Sequence, residues 1–272
     1  MYELDGIAKT FERGATALRE VSCTVGRGEH VAFIGPSGAG KTTLFRILNL
    51  TLAPTAGTLT VGGVDVAGLD GRGLRDLRRR IGTVYQQHNL VGRLRVVHNV
   101  LAGHLGRWST ARALFSLLSP REAETAAEAL ARVGIPEKLY ARTDTLSGGQ
   151  QQRVAIARVL VQDPEVILGD EPVSSVDPSL AAGIVRLLKE LSGAAGKTLL
   201  MNLHSVDLAL SFFPRIVGVR EGRLFFDLPP DKVSAELLGA LYAGAAAGED
   251  EEVPVYHGVS PLSPVCRPLP LE

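Results

Sequence analysis

The residues with the clearest chemistry form a short glycine-rich stretch near the start of the chain. In order, they are Gly35, Pro36, Ser37, Gly38, Ala39, Gly40, Lys41 and Thr42. They match the pattern G-x-x-x-x-G-K-[ST] and stand between a β-prone run and a segment with helical spacing. Glycines let backbone N–H groups surround phosphate oxygens, the lysine reaches the β- and γ-phosphates, and the threonine hydroxyl can bind Mg²⁺. A plain glycine turn would not need Lys41 and Thr42 at these offsets, so the stretch predicts a nucleotide-phosphate site.

Two adjacent carboxylates follow an apolar, β-prone run in the second half of the chain. The run Val166–Leu168 continues into Gly169, Asp170 and Glu171. A buried strand would bring both acids to the carboxyl edge of a sheet, where α/β proteins bind ligands. We expect Asp170 to hold Mg²⁺, directly or through water, and Glu171 to polarise the water that attacks the γ-phosphate. The alternative is that both acids cap the helix that follows Pro178, which is less favoured beside a phosphate loop.

A third motif, Leu146–Gln150, precedes a helix pattern that begins near Gln151. Taken alone, its serine and glycines favour an ordinary serine-capped helix entry. Because it lies between the phosphate loop and the carboxylate pair, the order of the three motifs resembles the ATP-binding cassette (ABC) ATPase family. Its letters are identical to the signature sequence of that family, and the resemblance extends from Tyr2 to about Tyr242.

The resemblance implies an ATPase that uses ATP and Mg²⁺ and encloses the nucleotide between two copies of the chain. One copy would supply the phosphate loop with the adjoining Thr43, and the second copy would close over the γ-phosphate. The residues acting across the dimer would be Ser147, Gly148, Gly149 and Gln150, with Asp177 in a loop that crosses to the partner. The magnesium ligands would be Thr42, Gln86 and Asp170. A monomer is therefore expected to be a poor ATPase.

The same resemblance assigns three further positions. Gln86 would contact Mg²⁺ and the attacking water and sense the membrane subunits, with Gln87 beside it as the other candidate. His204 would contact the γ-phosphate as a switch histidine, whereas a lone histidine at a strand end is usually a surface or capping group. Phe11 would stack on adenine, and the alternative is a core aromatic of the first hairpin. The predicted catalytic residues are thus Glu171, His204 and Gln86.

Strand and helix patterns alternate along most of the chain, which predicts an α/β fold with a parallel sheet covered on both faces. The resemblance implies a P-loop NTPase (RecA-like) core, an N-terminal antiparallel β subdomain and an inserted α-helical subdomain. The expected ABC ATPase domain spans 1–243, with the core at about 1–95 and 160–243 and the helical subdomain at about 96–159. The acidic and proline-rich segment 244–272 is predicted to be a disordered C-terminal tail.

Composition excludes several classes of protein. Lys plus Arg and Asp plus Glu both total 29, and this zero net charge argues against a nucleic-acid partner. Two distant cysteines, Cys23 and Cys266, cannot build a disulfide framework or a cysteine-rich metal site. There is neither a signal-peptide pattern nor an apolar run approaching the ~20 residues that span a bilayer. We therefore expect a cytosolic chain, and the resemblance implies that it binds peripherally at the cytoplasmic face of the cell membrane.

Subfamily letters resemble the ATPases of phosphonate importers within the ABC family. They comprise Tyr85–Val91, Asn99–Gly103 and Leu114–Leu118, although His98 stands where an acidic residue is frequent. The resemblance implies ATP hydrolysis coupled to uptake of phosphonate, phosphite or another organophosphorus solute. The implied partners are integral membrane permease subunits and, indirectly, a periplasmic or surface solute-binding protein. The alternatives are an importer of amino acids or other small polar solutes, and a soluble ABC ATPase without a transport function.

Overall fold

The structure is a computed structural model that describes residues 1–12, 14–174 and 176–243. Its strands are β1 (Tyr2–Thr10), β2 (Thr16–Val25), β3 (His30–Ile34), β4 (Ala56–Val61), β5 (Val64–Asp65), β6 (Ile81–Tyr85), β7 (Val166–Asp170), β8 (Thr198–Asn202), β9 (Arg215–Arg220) and β10 (Arg223–Leu228). Its α-helices are α1 (Lys41–Leu48), α2 (Gly71–Arg79), α3 (Val96–Leu101), α4 (Thr110–Leu118), α5 (Ala123–Arg132), α6 (Gly148–Gln162), α7 (Pro178–Ala194), α8 (Val206–Phe212) and α9 (Ala235–Tyr242). The predicted tail, 244–272, lies outside the described residues.

The smaller sheet is antiparallel and has the order β2-β1-β4-β5. On β1 the side chains of Tyr2, Leu4 and Ile7 are buried, whereas Glu3 and Asp5 between them are exposed. This alternation places one face of the sheet against the core and the other in solvent. The Tyr2 hydroxyl donates to the carbonyl of Leu48 at 3.0 Å and ties this sheet to α1. The predicted antiparallel β subdomain is confirmed.

The larger sheet has the order β10-β9-β3-β8-β7-β6. Its strands from β9 to β6 pair in parallel, and β10 joins β9 as an antiparallel hairpin. The prediction of a mostly parallel sheet is confirmed. The sequence reading did not identify β10, because its partly exposed residues give a weaker signal than the apolar central strands.

Residues of β3 alternate between two apolar clusters. Val31 and Phe33 pack with α1 and the antiparallel sheet, whereas Ala32 and Ile34 pack on the opposite side with residues of α6 and α7. A strand buried on both faces reads as a continuous apolar run, which is why β3 could be recognised from sequence. The larger sheet thus separates two halves of the core.

A block of helices, α3 to α6, covers one end of the larger sheet. Helices α3 and α5 both pack against α6, and their buried residues include Val97, Leu130 and Val154. In contrast, α4 has no buried residue, and its Leu118 side chain is 85% exposed. In the part of the chain that the structure describes, no helix is both long and apolar enough to cross a bilayer.

Candidate functional site

Four neighbouring strands end at the same level of the larger sheet. The strand register pairs Tyr85 of β6 with Asp170 of β7, Asp170 with Asn202 of β8, and Asn202 with Phe33 of β3. Because these strands are parallel, the segments that leave their carboxyl ends emerge along one edge. The backbone N–H of Gln86 also donates to the Asp170 carbonyl at 3.1 Å. The sheet therefore brings together the phosphate loop, the carboxylate pair and Gln86.

The phosphate loop requires glycine at both ends. Gly35 has φ 148°, and a Cβ atom there would lie 2.0 Å from the carbonyl oxygen of Val219. Gly40 has φ 101°, and its Cβ would lie 2.4 Å from the carbonyl oxygen of Ala17. Both positions combine a backbone conformation that favours glycine with close approach of another backbone segment. The turn at Gly222 supports the loop from outside, since its N–H donates to the carbonyl of Ala39 at 3.0 Å.

Lys41 and the start of α1 give this loop its positive charge. The Lys41 side chain is 4% exposed, and its Nζ donates to the carbonyls of Gly35 at 2.7 Å and Pro36 at 2.9 Å. Gly40 begins α1 without a capping side chain. An uncapped helix start offers backbone N–H groups and the positive end of the helix dipole to an anion. A buried lysine at an uncapped helix start fits a phosphate group.

A cavity of about 220 Å³ joins the predicted metal ligands and the predicted base. Thr42, Gln86, Asp170 and Glu171 all line it. Hydroxyl, amide and carboxylate oxygens are hard donors that suit Mg²⁺, which usually binds through one or two carboxylates together with substrate phosphates and water. Within the described residues no group of three or more His, Cys, Asp and Glu could hold a metal without such help. The cavity therefore fits Mg²⁺ arriving with a nucleotide.

The two carboxylates have different surroundings. Burial, reinforced by the nearby charge of Glu171, raises the pKa of Asp170 above its ordinary value, and the amide of Asn202 opposes this shift. A hydrogen bond from His204, whose Nε2 lies 2.9 Å from Glu171 Oε1, holds the pKa of Glu171 below its ordinary value against the effect of burial. Glu171 is therefore an ionised carboxylate at neutral pH, as a general base must be.

Asn202 belongs to this site and was not singled out from the sequence. Its Nδ2 donates to Asp170 Oδ1 at 2.9 Å and lies 3.4 Å from Glu171 Oε1, while its main-chain carbonyl accepts from the Glu171 N–H at 3.2 Å. The side chain is fully buried, and its Oδ1 has no hydrogen-bond partner among the residues that the structure describes. One polar residue ending the apolar run Thr198–Met201 is the signal that could have identified it.

Neither acid caps a helix, so that alternative for the carboxylate pair is wrong. The cap of α7 is instead Asp177, whose Oδ1 accepts from the Leu180 N–H at 3.0 Å. The expected alternative for Phe11 is also wrong, because its ring is 38% exposed rather than part of the core. Its partner is the Lys9 ammonium, 5.6 Å from the ring centroid.

The signature motif does not reach this cavity. Ser147 caps α6 by accepting from the Gln150 N–H at 3.3 Å, and the Gln150 side chain accepts from the Ser147 N–H at 3.1 Å. Ser147 and Gly148 are exposed, and none of residues 147–150 is among the described residues that line the cavity. Within one chain the motif is thus a capped helix start that faces solvent.

Several curated proteins similar to this chain are named "Phosphonates import ATP-binding protein PhnC". One from Anaeromyxobacter dehalogenans (strain 2CP-C) is 49% identical over 253 residues, which is 93% of this chain and 50% of that relative, so this chain spans half its length. Another, numbered PhnC 1, from Pseudomonas aeruginosa is 48% identical over 240 residues and covers 88% of this chain and 90% of the relative.

One solved structure is similar to this chain in both fold and sequence. It is a dimeric ATP-binding cassette in a post-hydrolysis state, bound to ADP and Pi, with a TM-score of 0.72 and 31% identity. The match covers 85% of this chain and 99% of that one. The protein-family model described as "ABC transporter" matches residues 18–174, which include the phosphate loop, the signature motif and the carboxylate pair. Motifs, sheet topology and these likenesses agree, and the chain belongs to the ABC transporter family.

Proposed function

We propose that this chain is the ATP-hydrolysing subunit of an importer for phosphonates or related organophosphorus solutes. The observation that carries the ATPase part is the group of Asp170, Glu171 and His204 at the edge of the cavity that Thr42 and Gln86 also line. The solute is inferred from relatives 47–49% identical over most of the chain, each named as a phosphonates import ATP-binding protein.

The predicted site residues have distinct chemical tasks in ATP binding and hydrolysis. Lys41 and the open start of α1 bind the β- and γ-phosphates of ATP. Glu171 accepts a proton from the attacking water, and His204 keeps the Glu171 carboxylate ionised and oriented by donating to it. Thr42, Gln86 and Asp170 would hold Mg²⁺, which neutralises charge on the phosphate oxygens. Exposed Phe11 would stack on adenine.

The second part of the active site comes from another copy of the chain in this proposal. Ser147 and Gly148 are exposed, and together with the half-buried Gly149 and Gln150 they form a helix start whose positive end can meet a γ-phosphate. The dimeric cassette bound to ADP and Pi supports a pairing of this kind. Asp177, which caps α7 in this chain, would lie near the same interface.

The proposal also divides the chain into regions and assigns its partners. We infer one ABC ATPase domain at 1–243, with core regions at about 1–95 and 160–243 and a helical subdomain at about 96–159. This domain would bind peripherally to permease subunits at the cytoplasmic face of the cell membrane. A periplasmic or surface binding protein would select the solute, and ATP hydrolysis would open the dimer and move the permease.

The test is uptake in the native host after deletion of the gene for this chain. Uptake of labelled methylphosphonate should be lost, and it should return with the wild-type gene but not with Glu171→Gln. Uptake of a labelled amino acid should not change. Loss of amino-acid uptake with normal phosphonate uptake would overturn the solute and favour the importer of other small polar solutes. If neither uptake changes and the purified chain hydrolyses ATP, the soluble ATPase is the correct alternative.

A further inference from the structure

Arg158 binds the loop that follows β6. It belongs to α6, the helix that begins at the signature motif. Arg158 of α6 donates from Nη1 to the carbonyl of Asn89 at 2.6 Å and from Nη2 to the carbonyl of His88 at 3.0 Å. The Arg158 side chain is half-buried, and this partial loss of solvent lowers the pKa of its guanidinium. A cation that has lost part of its hydration needs polar partners, and the carbonyls of His88 and Asn89 supply them.

The two bound residues have unusual backbone conformations. His88 has φ 41° and Asn89 has φ 49°, in the left-handed region that non-glycine residues adopt at a cost. Such a turn persists where surrounding contacts impose it, and the donors from Arg158 are contacts of that kind. They hold the turn that starts two residues after Gln86.

The rest of the loop is also tied to the helical block. Asn99 of α3 donates to the carbonyl of Val91 at 3.0 Å and accepts from its N–H at 2.8 Å. The N–H of Asp144 donates to the carbonyl of Gly92 at 3.0 Å. Gln86, in contrast, is tied to the larger sheet through the carbonyl of Asp170. His88 lies where the two sets of contacts meet, because its N–H donates to the carbonyl of Tyr85 at the end of β6 at 3.3 Å while its own carbonyl accepts from Arg158.

We propose that Arg158 is a positioning residue that makes the backbone after Gln86 move with α6, and thereby sets where Gln86 stands in the cavity. This inference rests on the proposed function. Helix α6 is one uninterrupted element of 15 residues, with the signature serine as its cap and Arg158 in its second half. When the α6 start closes over the nucleotide of the partner copy, α6 changes its angle as one rigid helix. Arg158 then moves with α6 and shifts the backbone that follows Gln86 of its own chain. Arg158 links the two ATP sites of the dimer.

The test compares Arg158→Met and Arg158→Lys with Arg153→Met. Arg153 is a matched control on the same helix, because its Nη1 also donates to a main-chain carbonyl, that of Val133, inside the helical block. For Arg158→Met we expect kcat to fall about tenfold while KM for ATP stays within about twofold, since positioning rather than binding is lost. Arg158→Lys, with a point charge in place of a two-pronged donor, should be intermediate. Arg153→Met should retain wild-type kcat.

Hydrogen exchange gives a readout that does not depend on activity. In Arg158→Met, amides of 86–92 should exchange about tenfold faster, while α6 and β6 keep wild-type protection. If exchange and kcat in Arg158→Met equal those of Arg153→Met, or if α6 loses protection to the same extent as the loop, the proposal is overturned. If Arg158→Met does not fold, Arg158→Lys serves for the same comparison. A wild-type chain without ATPase activity would reject the proposed function, whereas the exchange result still decides whether Arg158 holds the loop.

Discussion

Two helix starts in this molecule carry glycine motifs, and their glycines serve different surroundings. At the start of α1, Gly35 and Gly40 are packed against backbone atoms of the same chain. At the start of α6, a Cβ on Gly148 would meet nothing within 4 Å, and one on Gly149 would lie 2.5 Å from the side chain of Leu180. The fold of one chain explains the first pair of glycines and leaves Gly148 unexplained.

The N-caps of α1 and α6 differ in a way that agrees with the difference between their glycines. The α1 start has no capping side chain, so its N–H groups are available to a phosphate within this chain. The α6 start has a full capping box formed by Ser147 and Gln150, and it projects into solvent. Gly148, at an exposed and already capped helix start, has no contact within the chain that accounts for it, which favours a molecule that approaches from outside. The comparison supports the proposal that the α1 start binds a phosphate within one chain and that the α6 start meets a second molecule.

The largest expected effect is the loss of kcat when the proposed base, Glu171, is replaced. Glu171→Gln keeps the size and hydrogen bonding of the side chain but cannot take a proton, so we expect kcat to fall roughly 10²–10⁴-fold with ATP affinity retained. With Mg-ATP this variant should also remain a dimer, measured by size-exclusion chromatography with light scattering. Normal turnover would show that Glu171 is not the base. A variant that stays monomeric with ATP would contradict the assignment of the α6 start to a partner.

The glycines themselves separate stability from activity. Gly35→Ala should lower the free energy of unfolding by about 3 kcal/mol, because the added Cβ overlaps the Val219 carbonyl oxygen and the φ is unsuitable. Gly148→Ala should change it by no more than about 0.5–1 kcal/mol, since the position is open. Chemical denaturation measures both. Gly148→Ala should nevertheless reduce ATPase activity, and full activity would mean that nothing approaches this helix start closely.

Lys41 at the α1 start and Ser147 at the α6 start are expected to affect different steps, ATP binding and ATP hydrolysis respectively. Lys41→Ala should weaken ATP binding about 10–100-fold, because the ammonium that pairs with the phosphates is lost. Ser147→Arg should leave ATP binding by the monomer unchanged but abolish hydrolysis, since it acts across the interface. Nucleotide titration by fluorescence and a steady-state ATPase assay separate the two. Equal ATP affinity in wild type and Lys41→Ala would reject the phosphate-loop assignment.

The smallest effect is a difference in pH dependence. The hydrogen bond from His204 lowers the pKa of Glu171, so this contribution to stability is present above the unfolded pKa and is lost as the pH falls through the folded one. The difference in unfolding free energy between wild type and Glu171→Gln should therefore be steady above about pH 5 and shrink below about pH 4. Ser147→Ala removes a cap without a titrating group and should cost about 1 kcal/mol at every pH. Denaturation curves across this range compare them, and a constant difference for Glu171→Gln would contradict the pairing.

Local motifs made most of the fold and most of the site predictable. The apolar runs of β3, β7 and β8 identified the buried strands, because both faces of a central parallel strand are apolar. The segments that became β10, α8 and α9 were not predicted, since they are short and partly exposed and their packing partners are distant in sequence. Tertiary contacts, rather than local preference, make such elements form.

The site shows the same division between local and distant information. Lys41 and Thr42 follow from the spacing of one motif, whereas the contacts of Asn202 do not follow from any local pattern, because its partners Asp170 and Glu171 are about thirty residues away in sequence. The hydrogen bond between His204 and Glu171 likewise depends on the order of strands in the sheet.

The sequence by itself determined which groups are present: the glycines and lysine of a phosphate loop, two carboxylates after an apolar run, and a signature motif typical of ABC ATPases. Only the tertiary structure decided which of them share a cavity, because parallel strands bring segments far apart in the chain to one edge. The same structure leaves the signature motif outside that cavity, capped and exposed. The physical reason is that hydrogen-bond geometry and burial exist only in the folded chain. They decide which reactive groups line the cavity and which lie at the exposed start of α6.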